Sequence, residues 1–216
     1  MVQYDQQTGE QPTKTWPIYR TRQAGLAGLL GGASFILYAI PDVIDQATFS
    51  GMSQLARVYS FLLVVPLVLM LLGVLGVHAY HKGAYGRMGT IGYGMSTIGL
   101  VVMILTELYG VSSAAAYAEE GWFMIFVVSL FVLVLGGGFP FGLAMRRAKK
   151  LPALGPTILA VALPVCVAGF AGLLAIGFGG TPFVVITTVY GAAWAILGYH
   201  LWTQPTAASI AETAPQ

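Results

Sequence analysis

The chain has 216 residues, 57% of them hydrophobic and only 8% charged, with a formal net charge of +2. Soluble globular domains carry roughly a quarter of their residues as charges, and a soluble fold of this composition would leave large apolar patches in water. The solvent for most of the chain is therefore lipid, and with no basic tract of the kind that grips nucleic acid, no nucleic-acid partner is expected.

Residues 1–23 are polar and include Asp5, Glu10, Lys14, Arg20 and Arg22. A secretory signal would place its apolar stretch closer to Met1 and end in a small-residue cleavage site, so this segment reads as a cytoplasmic N-terminal segment. Six apolar runs follow, at 24–43, 58–80, 88–110, 122–144, 157–179 and 182–203. About 20 apolar residues cross the roughly 30 Å of bilayer hydrocarbon as a helix. The runs are apolar on every face, which fits helices and not the alternating strands of a barrel. The expectation is an all-α integral membrane bundle of six transmembrane helices forming one domain over 24–203, followed by a flexible cytoplasmic tail, 204–216. Short connections make successive helices antiparallel neighbours.

Orientation follows from the cations. Lys14, Arg20, Arg22, Lys82, Arg87, Arg146, Arg147, Lys149 and Lys150 occupy one alternating set of connections, and Arg57 alone occupies the other, with Asp45, Glu119 and Glu120. Basic loops stay in the cytoplasm, so both termini are expected there, in a multi-pass protein of the cell (plasma) membrane. Trp16, Trp122 and Trp202 flank the runs, where amphipathic rings favour the interface. In the outer connection 44–57, Phe49, Met52 and Leu55 recur at helical spacing, as in a segment lying in the interface. Gly179-Gly180-Thr181-Pro182 reads as a tight turn with Pro182 in the first turn of the last helix.

A weak internal repeat is set against the alternative that Leu and Gly are simply common in such helices. Leu75-Gly76-Val77-His78 ends the second run and Leu197-Gly198-Tyr199-His200 ends the sixth. His78 and His81, three apart, share a helix face. Paired with His200 they offer a haem clamp or, all three together, a zinc or copper site. The alternative is that they are interfacial imidazoles in the last helical turn, meeting headgroup water and the negative end of the helix dipole. No cofactor is expected on the stronger of these readings, with haem or an apolar pigment as the lesser options.

Among the acids, Asp42 and Glu107 lie within runs. Burying an ionisable group in lipid is expensive, which marks both as ion-site candidates. Glu107 is about 28 Å along its helix, near the far surface, and Asp42 is close in sequence to Arg57, so ion pairing or solvation is the competing explanation. Gly136-Gly137-Gly138-Phe139-Pro140 is a candidate break in the fourth helix, and Pro66 and Pro164 are expected kinks. Gly28/Gly32, Gly138/Gly142 and Ala168/Gly172 form small-residue steps that let helices approach closely. Ser34, Ser96 and Ser129 are expected to bond back to their own helix backbone. Cys166, the only cysteine, lies inside a run and forms no intramolecular disulfide.

No catalytic motif is present: no His-Glu-x-x-His, no Gly-x-Ser-x-Gly, no phosphate-binding Gly-rich loop. In composition and topology, and in the ending Ala195-Ile196-Leu197-Gly198-Tyr199-His200-Leu201-Trp202, the chain resembles small six-helix membrane proteins of prokaryotes. That likeness carries over no residue and no activity. The function expected is a non-enzymatic accessory or scaffold subunit, packed against another membrane protein or itself, with lipid or an apolar ligand between helices. The alternatives are a small secondary transporter or channel built on Glu107, Asp42 and the fourth helix, and a haem or metal protein built on His78 and His200.

Overall fold

The computed structural model describes residues 18–45, 53–112, 120–175 and 183–204. They are helical apart from two short connections: α1 (Ile18–Asp45), α2 (Ser53–His81), α3 (Gly86–Ser112), α4 (Glu120–Val128), α5 (Gly136–Ala148), α6 (Leu154–Ala175) and α7 (Phe183–Trp202). Between α4 and α5 the chain runs on without a break through a π-helical segment, Ser129–Leu135, so these three pieces form one rod. Four stretches are long and apolar enough to cross a membrane: Leu62–His81, Gly86–Tyr109, Met124–Ala148 and Val184–Trp202. Within α6 the apolar stretch Leu154–Gly169 is shorter. The interfacial segment and the tight turn expected at 44–57 and 179–182 fall largely outside the described residues.

The helices pack as a closed circuit. Each touches its neighbour in sequence, and α7 returns to pack on α1 in the most extensive of all the contacts. Within lipid, helices gain little from hiding apolar surface; close packing of backbones has to hold them instead. Glycine supplies that approach. A methyl group added at Gly28 of α1 would lie 3.4 Å from the Cα of Gly73 on α2 and 3.5 Å from the Cα of Gly198 on α7. Three helices therefore meet at three glycines. Gly32 continues the seam one turn on, against Gly191 and Ala195 of α7. The repeated Leu-Gly-x-His endings have a physical meaning here: Gly76 of α2 abuts Ala24, and Gly198 of α7 abuts Gly25 and Leu29, so the two repeats clasp α1 from either side.

The same device recurs around the circuit. Gly137 of α5 lies against Ser96 of α3, and Gly142 of α5 against Pro156 and Ala160 of α6. Gly138 faces Leu159 of α6, leaving slightly more room, 3.2 Å from an added methyl to Leu159 Cδ1. Inside the circuit, Phe35, Met70, Met103, Phe141, Tyr190 and Trp194 are fully buried in one continuous core.

The candidate break at Gly136–Pro140 is not where the fourth helix departs from α geometry. Those five residues are regular α-helix, and the irregularity lies one turn earlier, where the Gly136 N–H reaches the carbonyl of Phe131, five residues back. Pro140 has no N–H to give to the Gly136 carbonyl, which loosens hydrogen bonding on this side of the rod. Gly99 of α3 fits against the wide turn at Leu133 and Val134. Ser96 also departs from expectation: its hydroxyl is buried with no hydrogen-bond partner, because it faces Gly137 and not its own helix backbone.

Replacing Gly73 with Ala puts a methyl 2.7 Å from the Gly28 Cα, and overpacking of that kind costs about 1–3 kcal/mol. Gly94→Ala meets nothing within 4 Å, and a change with no such clash stays within about 0.5 kcal/mol. Thermal unfolding of both variants in the same detergent should separate them in that order.

Candidate functional site

The end of the bundle that carries the cations (the basic end) holds the one dense cluster of polar and aromatic side chains among the described residues. It is built by the turn between α2 and α3. Gly83 and Gly86 take left-handed backbone angles, φ 83° and 62°, which glycine adopts without a steric penalty. The Ala84 N–H bonds the His81 carbonyl at 2.8 Å. This tight reversal folds Tyr85 back under the end of α2, where it is buried at 8% exposure.

Tyr85 then stands between the two histidines. Its hydroxyl is hydrogen-bonded to His78 Nδ1, and its ring lies 5.7 Å from that of His78 and 5.9 Å from that of His81. His78 stacks on Tyr93 of α3 with centroids 3.8 Å apart, and Phe141 of α5 meets Tyr85 edge-on at 5.9 Å. The cluster thus joins α2, α3 and α5. Burial pushes the Tyr85 phenol above its ordinary ionisation range, and neighbouring Tyr93 adds to the effect.

His81 is fully buried, at 0% exposure. Its Nδ1 lies 3.0 Å from the Val77 carbonyl. A carbonyl only accepts, so Nδ1 carries the hydrogen and, in the neutral ring, Nε2 is the lone-pair nitrogen. That Nε2 is buried without a partner. The expectation of imidazoles bathed in headgroup water is therefore corrected for His81: the fold-back of Tyr85 covers it. Nearby, Tyr80 and Lys150 clasp each other, the Tyr80 hydroxyl donating to the Lys150 carbonyl at 3.4 Å and the Lys150 ammonium to the Tyr80 carbonyl at 3.2 Å. Arg147 reaches across to Met88 Sδ at 3.7 Å.

Each histidine of the expected haem clamp has its own aromatic neighbours. His78 has Nδ1 engaged by Tyr85 and one ring face covered by Tyr93, while the ring contact of His200 is with Tyr199 of its own helix, at 5.6 Å. Among the described residues no three His, Cys, Asp or Glu side chains converge as a metal site. The cluster ties α2 to α3 with polar and aromatic contacts where the two apolar stretches Leu62–His81 and Gly86–Tyr109 meet.

The other candidates lie apart. Glu107 is half-buried on α3 toward the opposite end and interacts with its surroundings. The side chains of Asp42 and Arg57 lie outside the described residues, and with them the ion pair expected between the two. Gly136 is half-buried, with Phe131 O the nearest atom an added methyl would meet. Ala168 and Gly172 are exposed on α6, and an added methyl at Gly172 meets nothing within 4 Å. Cys166 is buried in the core. Sequence reasoning missed Tyr85, Tyr93 and Phe141; the signal was His81-Lys82-Gly83-Ala84-Tyr85-Gly86, a two-glycine turn too short to keep its tyrosine away from the preceding helix. Comparison with protein-family models, with curated proteins and with solved structures finds no match to this chain.

Tyr85→Phe keeps the ring and removes the hydrogen bond to His78, at a cost of about 1 kcal/mol in unfolding free energy. The wild-type phenol binds its proton more tightly folded than unfolded. Its contribution is complete below about pH 10, and stability falls as pH rises above that value, because the unfolded chain loses the proton first. Alkaline unfolding titrations should show this loss in the wild type and less of it in Tyr85→Phe.

Proposed function

We propose that this chain is a non-enzymatic membrane subunit that docks a helix of another integral membrane protein, or of a second copy of itself, on the outward face of α6. The observation behind this reading is the contrast between outward faces. On α2 the exposed side chains include Leu62, Val65, Val68 and Leu72, and on α3 Ile91, Ile98, Leu105 and Leu108, as suits contact with lipid chains. On α6 the exposed residues include Leu154, Val161, Val165 and Val167 and, between and beyond the valines, the small residues Pro164, Ala168, Ala171 and Gly172. Along the α1 seam a small-residue surface of this kind is covered by a neighbouring helix; on this part of α6 none of the described residues lies within 4 Å of a methyl added at Gly172. Small residues in lipid allow a partner backbone to approach closely.

In this reading α1 and α6 join the four long apolar stretches as the fifth and sixth spans, the basic end faces the cytoplasm with both termini, and the bilayer is the plasma membrane.

Native mass spectrometry of protein extracted gently from its own membrane should show an assembly with a second polypeptide or a defined homo-oligomer. Gly172→Leu should dissociate it while leaving thermal unfolding of the isolated chain within about 0.5 kcal/mol of wild type. A bare monomer in the wild type would overturn the reading and move attention to flux assays of Glu107→Gln.

A further inference from the structure

An open groove crosses the basic end at the α2–α3 turn, lined by Gly83, Tyr85, Gly86, Arg87, Thr90 and Ile91. An added methyl at Gly83 or Gly86 would meet nothing within 4 Å, so part of the groove is bare backbone. Arg87 lines it and Lys82 stands next to it, both exposed. The last turn of α5 adds Arg146 and Arg147 and the α5–α6 connection Lys149 and Lys150, and no Asp or Glu occurs in 78–93 or 144–157. Among the described residues the charge on this surface is of one sign, and it calls for an anion.

The apolar side of the groove identifies the kind of anion. Ile91, at its edge, is 60% exposed. Ile98 and Leu105 follow at seven-residue intervals, with exposures of 57% and 60%. Side chains seven apart on a helix stay on nearly one face, and the stretch from Ile91 to Leu105 is about 21 Å long, comparable to a lipid acyl chain. A free phosphate or a nucleotide would use the cations and leave this track idle. A phospholipid uses both.

We propose that the groove holds the phosphate headgroup of an acidic phospholipid, with Arg87 and Lys82 at the headgroup and one acyl chain along Ile91, Ile98 and Leu105. The inference rests on the basic end lying at a membrane surface, and not on the docking role of α6. Basic pockets at the ends of transmembrane helices attract anionic headgroups in this way.

The test uses the full chain in nanodiscs of equal parts phosphatidylcholine and phosphatidylglycerol, with native mass spectrometry counting the lipids that stay bound. The wild type should retain phosphatidylglycerol in preference to phosphatidylcholine, and the Lys82→Gln/Arg87→Gln variant should lose about tenfold of that preference. Lys149→Gln, whose cation lies outside the groove, should keep it. Thermal unfolding of the wild type should rise on adding phosphatidylglycerol and not on adding inorganic phosphate, a readout that holds even where a variant folds poorly. Equal retention of the two lipids, an equal loss in Lys149→Gln, or the same stabilisation by inorganic phosphate would each overturn the site. Extraction of the protein by alkaline carbonate would instead remove the membrane reading beneath it.

Discussion

The bundle depends on how closely the backbone of α1 approaches α2 and α7. Between helices in lipid, apolar side chains gain nothing by leaving an equally apolar solvent, so cohesion has to come from dispersion at short range and from contacts that lipid cannot imitate. Gly28, Gly73 and Gly198 bring three backbones together, and Gly25, Gly32, Gly76 and Gly191 extend the contact along the seam. Because this seam joins the first helix to the last, it closes the circuit, and the filled core of Phe35, Met70, Tyr190 and Trp194 is possible only inside a closed one.

One seam is made differently. Where α2 meets α3, no glycine seam is present among the described residues; buried aliphatic side chains and, at the basic end, the aromatic and histidine cluster make the contact. The contacts of the cluster are sensitive to protonation and hydration, which glycine contacts are not. The interior is polar elsewhere too: the hydroxyls of Ser96 and Thr97 are buried without partners, and Tyr190 and Trp194 bury their polar atoms side by side. In hydrocarbon an unmade hydrogen bond costs more than in water, so these atoms lie where a small shift of one helix gains the most.

Much of the architecture was legible in the amino-acid order because two strong constraints act on it. Hydrocarbon thickness sets the length of an apolar run, and all six runs became helices, several reaching a turn further into their flanks: the run at 24–43 became Ile18–Asp45 and that at 122–144 continues to Ala148. The small-residue step at Gly28/Gly32 is legible because backbone approach leaves a compositional trace. Other features were not. The position of the irregularity in the fourth rod depends on how hydrogen bonds redistribute upstream of Pro140, which residue spacing does not encode. The burial of His81 depends on a tyrosine four residues later, and the partnerless hydroxyl of Ser96 depends on which helix lies opposite. Spacing on one helix says what shares a face; it does not say what covers that face.

The π-helical segment Ser129–Leu135 has a consequence for the way the rod tolerates change in length. A wide turn holds one residue more than an α turn in the same stretch of hydrogen bonds, and one residue on an α-helix is about 100° of rotation. The segment is thus a phase joint: the face that α4 presents and the face that α5 presents are set independently. A residue gained or lost within it is taken up by widening or narrowing the turn, which keeps those two faces in place and leaves the glycines of α5 seated against Ser96 and Ala160. In the other spans a single insertion would rotate every contact beyond it, so this joint is where the length of the chain can drift while its packing stays in place.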